Sequence, residues 1–172
     1  HEHMVMPVDV PVMASALRPR SYELCGEEAD GAISWICPGT YLRDTALPAL
    51  EKGARRAGRP SPPLIAHAPI CLHDHLDEVR TAVREQISNP KLPYYQFMLR
   101  EAGFPEAVNG DWSEGMVDAI VLWGDEAQVA KKVRELFSFG ISEIMAMPVA
   151  AGANKSDSVD RAIRFVGEFA KQ

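Results

Sequence analysis

A chain of 172 residues is long enough for one domain with a real core and short for two. Hydrophobic residues make up 47% and charged residues 24%, the ordinary balance of a soluble globular protein. The net charge of −6 leaves no basic field for a nucleic-acid backbone, and no apolar run approaches the ~20 residues that span a bilayer, so neither nucleic acid nor membrane is expected as a partner. No signal-peptide pattern is read. Cys25, Cys37 and Cys71 are an odd number at wide spacing among apolar neighbours, which reads as reduced core thiols in a cytoplasmic protein. The chain begins with His1, and residues 1–9 are expected to be a tag remnant or an upstream loop.

The first predicted strand is Val10 to Ser15, "VPVMAS". Pro19 then opens a helix through "RSYELCGEEA", with Tyr22, Leu24 and Cys25 as its inward face. Asp30 and Gly31 turn the chain into a second strand, "AISWIC". Pro38, Gly39 and Thr40 break it, and a helix from about Thr40 to Ala57 carries Leu42, Ala46, Leu47 and Leu50 at helical spacing. After the loop "GRPSPP" the third strand is Leu64 to Leu72, continuously apolar as expected for a strand buried on both faces. Asp74 is the expected cap of a helix bearing Leu76, Val79, Ala82 and Val83, which Asn89 and Pro90 end.

From Lys91 to Gly115 the pattern changes. Tyr94, Tyr95, Phe97, Met98, Phe104 and Trp112 fall close together, predicting one helix and an irregular excursion. Asp125 is the expected cap of a helix carrying Val129, Val133, Leu136 and Phe137, closed by Gly140. "ISEIMAMP" is the fourth strand, and Ser156 to Lys171 is a final amphipathic helix. Four strands, each followed by helix, predict an α/β fold with a parallel sheet: half of an eight-stranded barrel, or a small open sheet.

Ligands of parallel α/β folds bind beyond the C-terminal ends of the strands. At the first such end Ser15 offers a hydroxyl, Arg18 a planar fork of donors, and the helix opening at Pro19 its free N–H groups, all suited to phosphate. The competing reading of Arg18 is a loop arginine paired with a surface carboxylate. His73-Asp74-His75, with Cys71 before it, has metal-like residues but no evident third and fourth ligand, so no metal is expected. His67 within an apolar strand reads as a core or barrel-interior histidine, with a place near a cofactor as the alternative. Tyr94, Tyr95 and Phe97 read as packing under the excursion, or as part of a substrate pocket or subunit interface. Lys131, Lys132 and Arg134 read as a solvated helix face.

"VPVMASALRPRSYELCGEEADGAISWI" resembles the mid-barrel signature of the luciferase-like monooxygenases and their deazaflavin-dependent relatives, with "CGEEADG" at the turn between helix and strand. "LPALEKGARRAGRPSPPLIAHAPICLHDHLDEVR", "LPYYQFMLREAGFPEA" and "VLWGDEAQVAKKVRELFSFGISEIMAMPV" are similar to later elements of the branch that uses coenzyme F-420. The resemblance runs from about Val10 to the end. It implies a TIM (β/α)₈ barrel of which residues 1–172 are the C-terminal part, covering about strands five to eight. It implies hydride transfer by F-420 to or from a small organic substrate, with an FMN-dependent monooxygenase of the same fold as one alternative. A non-catalytic, dimerising barrel fragment is another, and a homodimer is expected. The positions matching the cofactor contacts are Ser15, Ala16 and Arg18, with Ser34 and Trp35 at the end of the next strand. Many family members have paired glycines where this chain has Leu17-Arg18, so a cation stands where relatives rely on close backbone approach. The remaining cofactor determinants of the family fall in the first four strands, so catalytic residues stay unassigned.

Overall fold

The computed structural model describes residues 10–171, and the expected tag remnant or upstream loop at 1–9 lies outside the described residues. Five strands form one all-parallel sheet: β1 (Met13–Ala16), β2 (Gly31–Trp35), β3 (Leu64–Leu72), β4 (Leu122–Gly124) and β5 (Glu143–Pro148). The four strands expected from the sequence pair as parallel neighbours, β1 on β2, β2 on β3 and β3 on β5. β3 is central, and every one of its nine residues is buried, as its unbroken apolar run requires.

The fifth strand was not expected. β4 pairs with Ile70–Leu72 on the edge of β3 that also carries β2, further toward the C-terminal end. The alternation of β3 shows this: the His67 carbonyl and the His73 N–H serve Ile36 and Gly124 on that edge, while the Leu64 and Ile70 carbonyls serve the β5 side. Three residues are too few for a two-residue alternation to register. In the sequence "VLW" also merges with the apolar face of the short helix before it.

Helix α1 (Pro19–Glu28) opens at Pro19 as expected, and it buries Tyr22, Cys25 and Gly26. Those positions are i, i+3 and i+4, so Leu24 is turned away and is 58% exposed, contrary to expectation. The next helix comes in three pieces, α2 (Gly39–Tyr41), a π-helical turn (Leu42–Ala46) and α3 (Leu47–Arg56). Helix α4 (Leu76–Gln86) has His75 at its cap position with no side-chain bond. Asp74 stands one residue too early to reach the free N–H groups and is not the cap.

The aromatic excursion holds a 3₁₀ turn (Asn89–Lys91), α5 (Pro93–Glu101), a second 3₁₀ turn (Pro105–Asn109) and α6 (Glu114–Ile120). Helix α7 (Glu126–Ser138) starts with the expected Asp125 cap, here a full capping box with Gln128. Its buried stripe is Val129, Val133 and Leu136, and Phe137 beside it is partly exposed. Helix α8 (Lys155–Phe169) ends the described chain, capped by Asn154.

Strand register sorts the side chains into two faces. Ala16, Ser34, Ala66 and Ile144 share one row, and the first three are buried where the helices pack. Ser15, Ile33, Ile65 and Glu143 share a row of the other face, as do Trp35, His67 and Met145. On this second face Ser15, Trp35, Glu143 and Met145 are exposed. The sheet is thus covered by helices on one face, while the other is open along β1, at the end of β2 and along β5, with the central β3 buried on both. Among the described residues no strand extends the outer edge of β1 or of β5.

Candidate functional site

The C-terminal ends of β1, β2 and β3 meet at one rim. At the end of β1, Arg18 is the extended residue preceding α1, and its carbonyl accepts from the N–H groups of Ser21 (2.9 Å) and Tyr22 (3.1 Å). Two of the N–H groups expected to face a ligand are therefore already used. The Arg18 guanidinium donates to Glu101 of α5 at 2.8 Å and lies 5.3 Å from the centre of the Phe97 ring. Phe97 and Glu101 are one helical turn apart on the same face of α5, so a single helix supplies both contacts. The buried Tyr41 hydroxyl lies 3.2 Å from the Leu17 carbonyl and 3.4 Å from the Glu101 carboxylate. Burial and that carboxylate both push its pKa up, which keeps the phenol protonated and able to donate.

At the end of β2, Trp35 lies on the open face, 38% exposed, and stacks on His67 of β3 with ring centroids 3.7 Å apart and planes 11° from parallel. The next residue, Ile36, has a φ of 51°. A β-branched residue in the left-handed region is strained by about 1–3 kcal/mol, a cost that concentrates at ligand sites. This bend carries the chain from the sheet into Pro38 and Gly39, leaving Trp35 as the last side chain of the strand. Cys37, just beyond, is buried, and burial pushes its thiol up to about 12, so it is inert rather than nucleophilic. Cys71 is likewise buried and pushed up to about 11.

His67 is buried, and its Nδ1 has no hydrogen-bond partner. Burial lowers its pKa, which favours the neutral ring. Among the described residues no group of three His, Cys, Asp or Glu side chains is arranged to hold a metal ion. His73 and His75 instead meet edge-to-face, with His73 Nε2 2.9 Å from Glu78. None of the described helices is long and apolar enough to cross a membrane.

A family model described as luciferase-like monooxygenase matches residues 2–143. The chain belongs to the luciferase-like monooxygenase family. It is 24% identical over 181 aligned residues to a 5,10-methylenetetrahydromethanopterin reductase of Methanolobus tindarius, covering 93% of this chain and 53% of that one. An F-420-dependent secondary alcohol dehydrogenase, solved with an F-420–acetone adduct, superposes with a TM-score of 0.71 at 17% identity, over 94% of this chain and 48% of that one. The oxygenating constituent of 3,6-diketocamphane monooxygenase from Pseudomonas putida, solved with FMN, gives a TM-score of 0.52 at 18% identity, over 90% of this chain and 46% of that one. These two likenesses concern the fold. The chain spans about half the length of the relatives it matches.

Within this member of the luciferase-like family, the five positions singled out in the sequence divide between the two faces. Ser15 and Trp35 are exposed on the open face. Ala16 and Ser34 are buried on the helix side, where the Ser34 hydroxyl donates to the Ile65 carbonyl at 3.4 Å. Arg18 stands beyond the strand end. The competing reading, a loop arginine paired with a surface carboxylate, is met by Glu101, but the identity of that carboxylate and the Phe97 contact were not legible, since 83 residues separate Arg18 from Glu101. Sequence reasoning missed the stack of His67 on Trp35, although an imidazole inside an apolar strand was a visible signal.

The neutral His67 has a consequence for stability. Its folded pKa is below the ordinary histidine value of about 6.5. Above that pH both folded and unfolded chains hold it neutral. Below it the unfolded chain binds a proton that the folded chain resists, so stability falls until the folded pKa is reached. Urea midpoints measured from pH 7 downward are expected to decline just below 6.5, and His67→Phe, which keeps a ring for the stack, is expected to flatten that part of the curve. An unchanged slope in the variant would assign the decline to other groups.

Proposed function

We propose that this chain supplies strands five to eight, with their helices, of a (β/α)₈ barrel that transfers hydride between coenzyme F-420 and a small organic substrate. Residues 1–172 are then the C-terminal part of one barrel domain. The observation that carries this reading is the match to the methylenetetrahydromethanopterin reductase along 93% of the chain. The sheet supports it, because the outer edges of β1 and β5, which no strand among the described residues pairs, are where further strands of a barrel would attach. The same reading makes the protein a cytoplasmic homodimer, consistent with its free, buried thiols.

The residues present fit a flavin-like group. Trp35 offers a half-exposed aromatic plane at the rim, Ser15 an exposed hydroxyl, and Arg18 four N–H donors beyond the one given to Glu101. When bound, the cofactor supplies the hydride chemistry. Arg18 and Ser15 hold its phosphate, with Ala16 lending backbone beside them. Trp35, braced from behind by His67, orients the ring or tail and excludes water from that side. Ser34 contributes indirectly: by tying β2 to β3 it holds Trp35 at the rim.

The FMN-dependent monooxygenase reading stays open because a solved structural neighbour holds FMN. Titration of the complete barrel protein with F-420 and with FMN, followed by fluorescence, separates the two. Tighter binding of F-420 is the expected result. Binding of FMN alone would transfer the assignment to the monooxygenase reading, and binding of neither would leave a non-catalytic barrel.

A further inference from the structure

The rim beside β1 holds a carboxylate as well as a cation. Glu101 is the last residue of α5, whose Tyr95, Met98 and Leu99 are buried, so the helix has a fixed seat. The carboxylate accepts from Arg18 at 2.8 Å, and the Tyr41 hydroxyl, whose one proton also faces the Leu17 carbonyl at 3.2 Å, lies 3.4 Å from it. Arg18 and Glu101 remain 44% and 40% exposed, so their pairing is weak enough for the guanidinium to serve a second anion. An anion arriving at Arg18 nonetheless meets a negative charge on the same guanidinium.

We propose that Glu101 sets which phosphate this rim accepts, favouring the singly charged phosphodiester of the F-420 tail over the more highly charged phosphomonoester of FMN. The inference rests on the reading of Arg18 as the phosphate contact. A phosphodiester keeps one negative charge at every physiological pH. A phosphomonoester carries about −1.5 to −2 at pH 7, because its second ionisation lies near 6. The guanidinium and carboxylate together sum to zero, so the rim attracts an anion through directed N–H donors more than through net charge. Each added negative charge on the phosphate seated at Arg18 is then repelled by Glu101, with a cost of about threefold in affinity for exposed groups in water, while the carboxylates of the F-420 tail are separate groups several bonds beyond its phosphodiester.

The experiment measures dissociation constants of F-420, FMN and riboflavin for the complete protein and for Glu101→Gln, at low salt. Riboflavin lacks the phosphate and controls for changes at the ring. Removing the charge is expected to tighten FMN about threefold more than F-420, to leave riboflavin unchanged, and to show a difference that shrinks as salt is added. An FMN to F-420 ratio identical in the two proteins overturns the proposal. Equal weakening of both phosphate ligands also overturns it, because Glu101 would then only hold Arg18 in place. Parallel titration of Arg18→Ala keeps the underlying reading separate: if that variant binds both phosphate ligands normally, the Arg18 contact itself fails.

Discussion

Gly53→Ala is expected to destabilise the chain by about 1–3 kcal/mol, although alanine is the better helix former. Gly53 lies in α3, and a Cβ there would fall 1.9 Å from the Glu23 carbonyl oxygen of α1 and 2.7 Å from its carbon. Across the same contact, a Cβ on Gly26 would fall 2.1 Å from the Leu50 oxygen and 2.7 Å from the Ala54 nitrogen. The helices therefore touch backbone to backbone, and neither side has a flexible group that could give way. Alanine would force the helices apart and loosen the buried residues Tyr22, Cys25 and Leu50 at once. The ion pairs along the seam join the exposed cations of Lys52 and Arg56 to the partly buried Glu23 and Glu27, and their solvated cation side limits what they add. Gly167 in α8 is the control, since nothing lies within 4 Å of its added Cβ. There alanine should stabilise by about 0.4–1 kcal/mol. Urea denaturation of both variants checks the pair, and equal stabilisation at the two positions would refute the close approach of α1 and α3.

Arg18→Ala is expected to weaken binding of a phosphate-bearing cofactor to the complete protein by roughly ten- to a hundred-fold, the loss of one charged hydrogen bond of about 1.5–3 kcal/mol. Ser21 and Tyr22 have spent their N–H groups on the Arg18 carbonyl, so the backbone near the start of α1 can compensate only in part. Arg18 is also pre-positioned: Glu101 and Phe97 already hold the guanidinium at the rim, so less side-chain entropy remains to be lost when an anion arrives. Arg18→Lys should recover only part of the affinity, because a single ammonium cannot serve Glu101 and a phosphate with a planar fork. Isothermal titration with F-420 and FMN makes the measurement. Unchanged affinity in the alanine variant would reduce Arg18 to a link between β1 and α5.

The parallel architecture was legible because the main strands carried local signals: an unbroken apolar run in Leu64–Leu72, and turn residues at Asp30-Gly31 before the second strand and Gly140 before the fourth. Where the expectations failed, the cause was local. Leu24 is an apolar residue one position off a buried stripe, and composition does not fix helix rotation to within 100°. Asp74 is a good capping residue in the wrong place by one. The strain at Ile36 leaves no mark in the sequence, since a β-branched residue is poorly suited to a positive φ.

The candidate site divides along the same line. Local chemistry alone pointed to a candidate rim with Ser15 and Arg18, because strand ends, a Pro-opened helix and residue type are properties of short segments, while Trp35 entered through the family resemblance. Only the tertiary structure decided which face each side chain takes. Register places Ser15 and Trp35 on the open side and Ala16 and Ser34 among the helices, since a two-residue period turns neighbours to opposite faces. It also decided the partners. Glu101 reaches Arg18 across 83 residues and His67 reaches Trp35 across a strand pair, contacts set by packing of distant segments and invisible to any reading confined to neighbours in the chain.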